Sequence, residues 1–384
     1  MRFNARHQPQ PASRYVVEWT GVEQLAARPE AWNALSARAL EPNPFYQPTY
    51  LLASARRLVH ADIRCVAVYR DAARDSELLG LFPLQQARLT QGGFFPAIDF
   101  CRNDFIPLTA PLIDPDDPVG VWESFFLAFQ GETPTPRIVL SRYHPQERGT
   151  VAALREALAR NSQAFSVIDS SERPSVDTNL EWESYGRTIE AHERSEIGRR
   201  QRKLSALGAV TIRTVTQGPD AKAALDEFLR IEGAGWKGLN GTAMAAKASP
   251  EQFVRDAFDT PNAEFDVLAI DGKAIAVAIN LNAGGVLYTV KTAYDEAYRA
   301  QGPGMALGVH QMRKALAGGP YRRIDSCAVP GVPMGKVWRQ REPMQWLAFS
   351  TTPEIGAGRV DSLAATLRGL GRLKAWIKQQ IGRK

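Results

Sequence analysis

The sequence has 384 residues, too many for one ordinary domain, and 44% hydrophobic, 23% charged and 9% aromatic residues, the balance of a globular chain with full cores. That composition excludes a disordered scaffold, a collagen-like repeat and a coiled coil. Cys65, Cys101 and Cys327, odd in number and far apart, make no disulfide framework, and no apolar run approaches the length of a spanning helix. The net charge of +6 is local: residues 359–384 hold seven basic side chains and one acid, leaving 40 of each sign elsewhere, so no global footprint for nucleic acid is present.

Residues 1–14 are polar, rich in Pro, Gln and Arg, and read as a flexible leader without the apolar stretch of a secretory signal. A cytoplasmic location follows as the expectation. A helix is predicted from Val22 to Leu40, ending in the turn-rich Glu41 to Pro48, and another from Tyr50 to Leu58. Arg64 to Tyr69 and Leu78 to Gln85 read as strands joined by a polar hairpin, followed by a Gly92-Gly93 turn and an irregular stretch through Asp104. A helix at Val119 to Phe129, a strand at Arg137 to Ser141, a helix at Arg148 to Arg160 and a strand at Ala164 to Ile168 complete the first half.

Ser171-Glu172-Arg173-Pro174 reads as a polar break, which places a domain boundary at 170/171. Helices from Tyr185 to Leu207 and Asp220 to Gly233 enclose a strand from Ala209 to Val215. Three strands then follow across short turns, Glu264 to Ile270, Lys273 to Leu281 and Val286 to Thr292. A loop, a helix from Met305 to Ala317 and strands at Tyr321 to Cys327 and Met344 to Ser350 end the second half. The two halves share this order of elements without visible sequence repetition, and the class is mixed α/β.

Most strong catalytic signatures are absent: there is no HExxH, no CxxC pair and no GxSxG, and no metal is expected. Gly331 to Lys336 imitates a phosphate loop but is one residue short, with Val337 where Ser or Thr is required. The site-grade motif is Arg299-Ala300-Gln301-Gly302-Pro303-Gly304, between a strand and a helix. Glycines let backbone amides approach an anion, and the helix adds unpaired N–H groups and the positive end of its dipole. Pro303 has no N–H, so the amides of Gly302, Gly304, Met305 and Ala306 would serve, with a pyrophosphate as the natural guest.

This Arg299-x-x-Gly302-x-Gly304 motif resembles the acyl-CoA pyrophosphate loop of the GNAT acyltransferases. Tyr288 to Asp295, Trp236-Lys237-Gly238, Asn43-Pro44-Phe45 and Gly80 to Leu84 resemble the CelD/BcsL-type branch, associated with cellulose and exopolysaccharide biosynthesis and related to the tandem-domain Fem aminoacyltransferases. The resemblance implies an α/β (α+β) fold of two tandem GNAT-like domains, each a mixed, mainly antiparallel sheet flanked by helices, at 15–170 and 171–355, with a basic amphipathic tail at 356–384. The first would be a degenerate unit without the glycine loop. It also implies acetyl-CoA or another acyl-CoA as co-substrate, held by Arg299, Gln301, Gly302, Gly304, Met305 and Ala306, and direct attack by an amine or hydroxyl on a sugar-linked or exopolysaccharide precursor.

In such a mechanism proximity, a base and an oxyanion donor suffice. Strand alternation puts Thr289 and Lys291 on one face and Tyr288, Val290 and Thr292 on the other. Lys291 is a candidate for oxyanion or acidic-acceptor binding, or a solvated strand lysine. Asp295 is the first candidate for general base, or a turn-forming acid. Glu232 would line the acceptor cleft or lie on the surface, and Asp104 would face the cleft or be a loop acid. His310 and Cys327 offer a covalent Cys/His route. Arg194, Arg199, Arg200, Arg202 and Lys203 form either a solvated helix face or an anion contact beside the cleft.

Val360, Leu363, Leu367, Leu370, Trp376, Ile377 and Ile381 recur mostly at three- and four-residue steps among the tail charges. They fit an interfacial helix that touches anionic lipid on the inner membrane face, and equally a terminal helix docked on its own domain. Two alternatives to the acyl-CoA enzyme stand beside it. One is a Fem-like transferase using aminoacyl-tRNA; the other is a non-enzymatic GNAT-shaped adaptor at a membrane-associated polysaccharide assembly.

Overall fold

A computed structural model describes residues 14–58, 63–73, 75–87, 97–130, 137–146, 148–234, 248–328 and 332–381. Residues 1–13 of the leader, the Gly92-Gly93 turn, Trp236-Lys237-Gly238 and Gly331 lie outside the described residues.

The apolar runs that dominate the sequence become strands covered on both sides, which is why they show little polar alternation. In the first half these are β1 (Val16–Gly21), β2 (Arg64–Tyr69), β3 (Leu78–Gln86), β4 (Ala97–Phe100), β5 (Leu112–Ile113) and β6 (Ile138–Pro145). β7 (Phe165–Asp177) leads into β8 (Val210–Val215), β9 (Ala263–Ile270), β10 (Lys273–Ala283), β11 (Val286–Tyr294), β12 (Arg323–Asp325) and β13 (Gln340–Ser350). Among the described residues they form one 13-stranded sheet in the order β1-β2-β3-β4-β6-β13-β7-β12-β11-β10-β9-β8, with β5 on β3. The sheet is antiparallel except at β4–β6 and β11–β12.

The helices are α1 (Val22–Leu25), α2 (Pro29–Arg38), α3 (Pro48–Arg57), α4 (Pro118–Leu127), α5 (Gly149–Arg160), α6 (Trp182–Thr188) and α7 (Ala191–Ser205). They continue as α8 (Gly218–Ala234), α9 (Ala248–Ala257), α10 (Pro303–Leu316) and α11 (Ala357–Ile381). α1 to α5 share a core with α8 and α9 on one face of the sheet, through Trp32, Trp122, Phe125, Leu154, Phe228 and Phe253. The other face is covered by α6, α7, α10 and α11 in smaller clusters. Strand alternation supplies both cores: on β9, Phe265 and Val267 point one way and Leu268 and Ile270 the other.

Several local expectations are corrected. The helix predicted over Val22 to Leu40 is two helices, because Pro29 starts a new one. Tyr185 to Leu207 is likewise split into α6 and α7. The irregular stretch before Asp104 contains β4, and α9 follows α8 where no helix was predicted. The polar break at Ser171 to Pro174 is no break: β7 runs straight through it, paired with β13 from Phe165 to Ser175 and with β12 from Ser175 to Asp177. Arg173 is tolerated there because its guanidinium donates to Asp325, 3.4 Å away, and to the Pro107 carbonyl. β13 inserts between β6 and β7, so a strand from the end of the sequence joins the sheet of the two halves.

α11 does two things. Val360, Leu363, Ala364 and Leu367 are buried against Ala97, Ile138, Leu140, Ile168 and Ala348, and Arg368 donates to the Val167 carbonyl. Burying each large aliphatic chain is worth roughly 2 kcal/mol, which anchors this end of the helix. Further along, Leu370, Leu373, Trp376 and Ile377 are exposed. Among the described residues no helix is long and apolar enough to cross a membrane.

Candidate acyl-transfer site

β11 and β12 pair in parallel only at Val286–Arg323, Leu287–Ile324 and Tyr288–Asp325. β12 then ends, while β11 continues to Tyr294 along β10. Thr289 Oγ1 still reaches the Asp325 carbonyl at 3.3 Å, and beyond it the two strands part.

The register of β11 against β10 slips at the fork: Asn280 faces Thr289 and Ile279 faces Lys291, which leaves Val290 as an extra residue. This bulge corrects the expected alternation. Thr289 lies on the α10 face with its partner Asn280, whose amide bonds Asp266 at 2.8 Å. Lys291 lies on the opposite, α8 face together with Tyr288, whereas Thr292 turns toward α10 and the Cβ position of Gly304. Unbulged alternation would have separated Lys291 from α8.

On that face Lys291 Nζ sits 2.5 Å from Glu232 Oε1, with the glutamate side chain 3% exposed and the lysine 22%. α8 brings Glu232 to the strand because Leu225, Phe228, Leu229 and Ile231 bury the same side of the helix. Two of the three candidate catalytic residues therefore meet, and the surface reading of Glu232 is overturned. The first half closes the arrangement: the Phe105 ring lies 5.5 Å from Lys291 Nζ and packs on Phe253 of α9. Phe105 is held through its carbonyl, which accepts from Tyr50 at 2.6 Å, and through its amide, which donates to Asn103. Asp104 is exposed between these two residues. Phe105 was missed in the sequence because an aromatic in an irregular stretch reads as ordinary core; the adjacent turn-forming Asn103 was its only local signal.

Asp295 takes a different place. At the end of β11 its amide donates to the Ile275 carbonyl and its carboxylate accepts from Ala297, capping the short helix Glu296–Gln301. That helix ends at Gly302, φ 65°, a left-handed conformation that favours glycine, and α10 begins there. The Gly302 amide donates to Arg299 and the Ala306 amide to Gly302. Of the four amides offered by the sequence, Gly304 and Met305 thus remain as first-turn donors at the positive end of α10. The side chains of Met305 and Ala306 pack into the cores beneath.

The two glycines differ in kind. Gly302 sits at φ 65°, which L side chains rarely adopt, so the backbone itself favours glycine there; the Arg200 guanidinium 2.5 Å from its Cβ position is a flexible end that could move. A Cβ on Gly304 would meet nothing closer than Tyr294 at 3.6 Å, ordinary contact, so packing within the chain places no such demand. The absence of a side chain at Gly304 instead leaves its amide approachable, which fits a phosphate. Arg200 brings the basic face of α7 to the loop; Glu196 holds it and Arg199 at 2.6 and 2.7 Å, and these two cations keep the Glu196 carboxyl at about 2. Arg299 is exposed, with Glu296 4.0 Å away. Gln301 points a buried Oε1 that has no hydrogen-bond partner among the described residues.

The Cys/His pairing is not assembled. Cys327 packs against the α8-face core, and burial pushes its thiol well above the usual range. His310 lies on the α10 face, 3.8 Å from Asp266, with its pKa lowered by burial. Asp266 itself belongs to a buried network with Asn280, Gln311, Lys314 and Glu264 that seats α10 on β9 and β10.

Residues 191–331, which include α7, α8, the fork and the glycine loop, match the family described as acetyltransferase (GNAT) domain. Solved structures share the fold over most of the chain. The C-terminal domain of a putative lysylphosphatidylglycerol synthetase from Agrobacterium fabrum has 13% identity and a TM-score of 0.52, covering 89% of this chain and 96% of that one. FemX has 11% and 0.53, over 84% and 96%. L-PGS from Bacillus licheniformis has 13% and 0.51, over 93% and 97%. No curated relative matches the sequence.

Proposed function

We propose that the chain is an acyltransferase taking an acyl group, acetyl first among the candidates, from acyl-CoA to an amine or hydroxyl acceptor. The observation that carries this is Gly304: a glycine its own fold does not require, at the amide-bearing start of α10, where β11 leaves the fork. The Gly304 and Met305 amides would hold the pyrophosphate, with Arg200, Arg299 and Gln301 around it.

Acyl-CoA supplies an activated thioester carbonyl. The acceptor nitrogen or oxygen forms the new bond to that carbon, the C–S bond breaks, and the acceptor proton must leave. Glu232 would take the proton, with Lys291, 2.5 Å away, holding it and offering positive charge to the developing oxyanion. The Phe105 ring would stand beside this pair, 5.5 Å from Lys291 Nζ. Asp295, spent as a helix cap, is the second candidate for the base. The resemblance to the CelD/BcsL-type branch supports a sugar-linked or exopolysaccharide precursor as acceptor.

Calorimetry with acetyl-CoA tests the reading. Micromolar binding by the wild type, weakened at least tenfold (about 1.4 kcal/mol) in Arg299→Ala and Gly304→Val while both variants keep their melting temperatures, is the expected result. No binding by the wild type would overturn the acetyl-CoA donor and direct the same titration to longer acyl-CoAs and aminoacyl-tRNA.

A further inference from the structure

The exposed end of α11 has a second apolar stripe that the fold does not use. Leu370, Leu373, Trp376 and Ile377 are 40%, 51%, 59% and 42% exposed, and they are four of the seven large hydrophobic side chains exposed among the described residues. At about 100° per residue they occupy an arc of roughly 120°. The docked set, Val360, Leu363, Ala364 and Leu367, is centred about 120° around the same helix. The second stripe is therefore not a continuation of the first, and longer docking on the sheet would not bury it.

Charge selects the occupant. From Arg368 to Lys384 the sequence holds six basic residues and no acid, in a protein whose residues before 359 are neutral overall. Arg372 is exposed within the stripe region. Two copies of such a segment laid side by side would repel one another, whereas a negatively charged surface with an apolar interior satisfies both features. Trp376, the most exposed of the four, is of the residue type that settles at the water–hydrocarbon boundary.

We propose that residues 370–381 are a membrane-surface anchor, lying in the interface of an anionic bilayer with Leu370, Leu373, Trp376 and Ile377 in the acyl region, while Val360 to Arg368 keep the folded body attached. Two contributions hold the anchor: burial of the stripe, and attraction of the basic residues to anionic headgroups, which fades within a Debye length and is screened by salt. The proposal is independent of the donor and acceptor in the fork.

The test is co-sedimentation of the full chain with phosphatidylcholine vesicles, with and without phosphatidylglycerol, at low and high salt. The expected result is binding to the phosphatidylglycerol vesicles at least tenfold tighter than to phosphatidylcholine alone and weakened by salt. Leu373→Ser/Trp376→Ser should abolish it and Arg372→Glu reduce it, with unchanged circular dichroism melts. Light scattering of the free protein runs alongside. Equal binding to both vesicles, retention by the double variant, or a wild-type dimer that the double variant returns to monomer without any vesicle binding would each overturn the anchor, the last in favour of a second copy.

Discussion

The sheet forks twice, and the two forks have opposite fates. β4 and β6 pair in parallel through Asp99 and Leu140 before β4 ends, much as β11 and β12 pair through Tyr288 and Asp325. After β4 the chain turns back into the protein: Cys101 and Ile106 are buried, the Cys101 carbonyl accepts from Tyr46, and Asn103 donates to Ser54. After β11 it makes a short helix, a left-handed glycine and the long helix α10. The segment leaving the strand, rather than the fork itself, decides whether the chain folds back beside the fork or runs on into a helix. The first fork is not idle, since its loop carries Phe105 to the second.

The largest expected effects separate the forks by what is lost. Lys291→Met removes the cation beside the buried Glu232 and should cost about 3 kcal/mol of stability together with nearly all turnover. Lys291→Met/Glu232→Gln should recover most of the stability in urea melts and none of the turnover. The matching change in the first fork, Arg102→Met beside Asp99 at 2.7 Å, should cost stability alone and leave donor affinity in calorimetry intact. A loss of turnover in Arg102→Met equal to that in Lys291→Met would break the comparison.

Within the second fork the two glycines should part company. Gly302→Ala, forced into a positive φ against Arg200, should lose about 1–3 kcal/mol in thermal or urea unfolding. Gly304→Ala, inside the first turn of α10, should keep or gain up to about 1 kcal/mol while weakening acyl-CoA binding. A stability loss at Gly304 equal to that at Gly302 would remove the ligand argument for that glycine.

The smallest effects are pH slopes from the first half. Burial raises the Glu41 carboxyl to about 7, so between the ordinary carboxylate range and pH 7 the folded chain holds a proton that the unfolded chain has lost, and stability falls as pH rises. Burial lowers His144 to about 4, so between pH 4 and the ordinary histidine value the unfolded chain binds the extra proton, and stability rises with pH. The two slopes oppose and largely cancel near pH 5 to 6.5. Glu41→Gln should unmask the rise and His144→Gln the fall, measured as urea midpoints across that range, with no change in acyl-CoA affinity at fixed pH.

Much of the fold was legible locally. β2, β9, β10 and β11 declared themselves as dense apolar runs, and Arg299 to Gly304 declared a helix entry, because those features depend on residue types adjacent in sequence. β7 did not, since Ser171 to Pro174 look like a linker until β13 and β12 supply partners on both sides. The tail split the same way: its periodicity showed an amphipathic helix, but which residues are docked and which exposed depends on where the sheet ends.

By itself, then, the sequence determined the α/β class, the open strands of the second half and the glycine entry to α10, all products of short-range backbone chemistry. The tertiary structure alone decided that Lys291 meets Glu232 under Phe105. That contact depends on a bulge, and a bulge is set by the register between two strands rather than by the residues of either one.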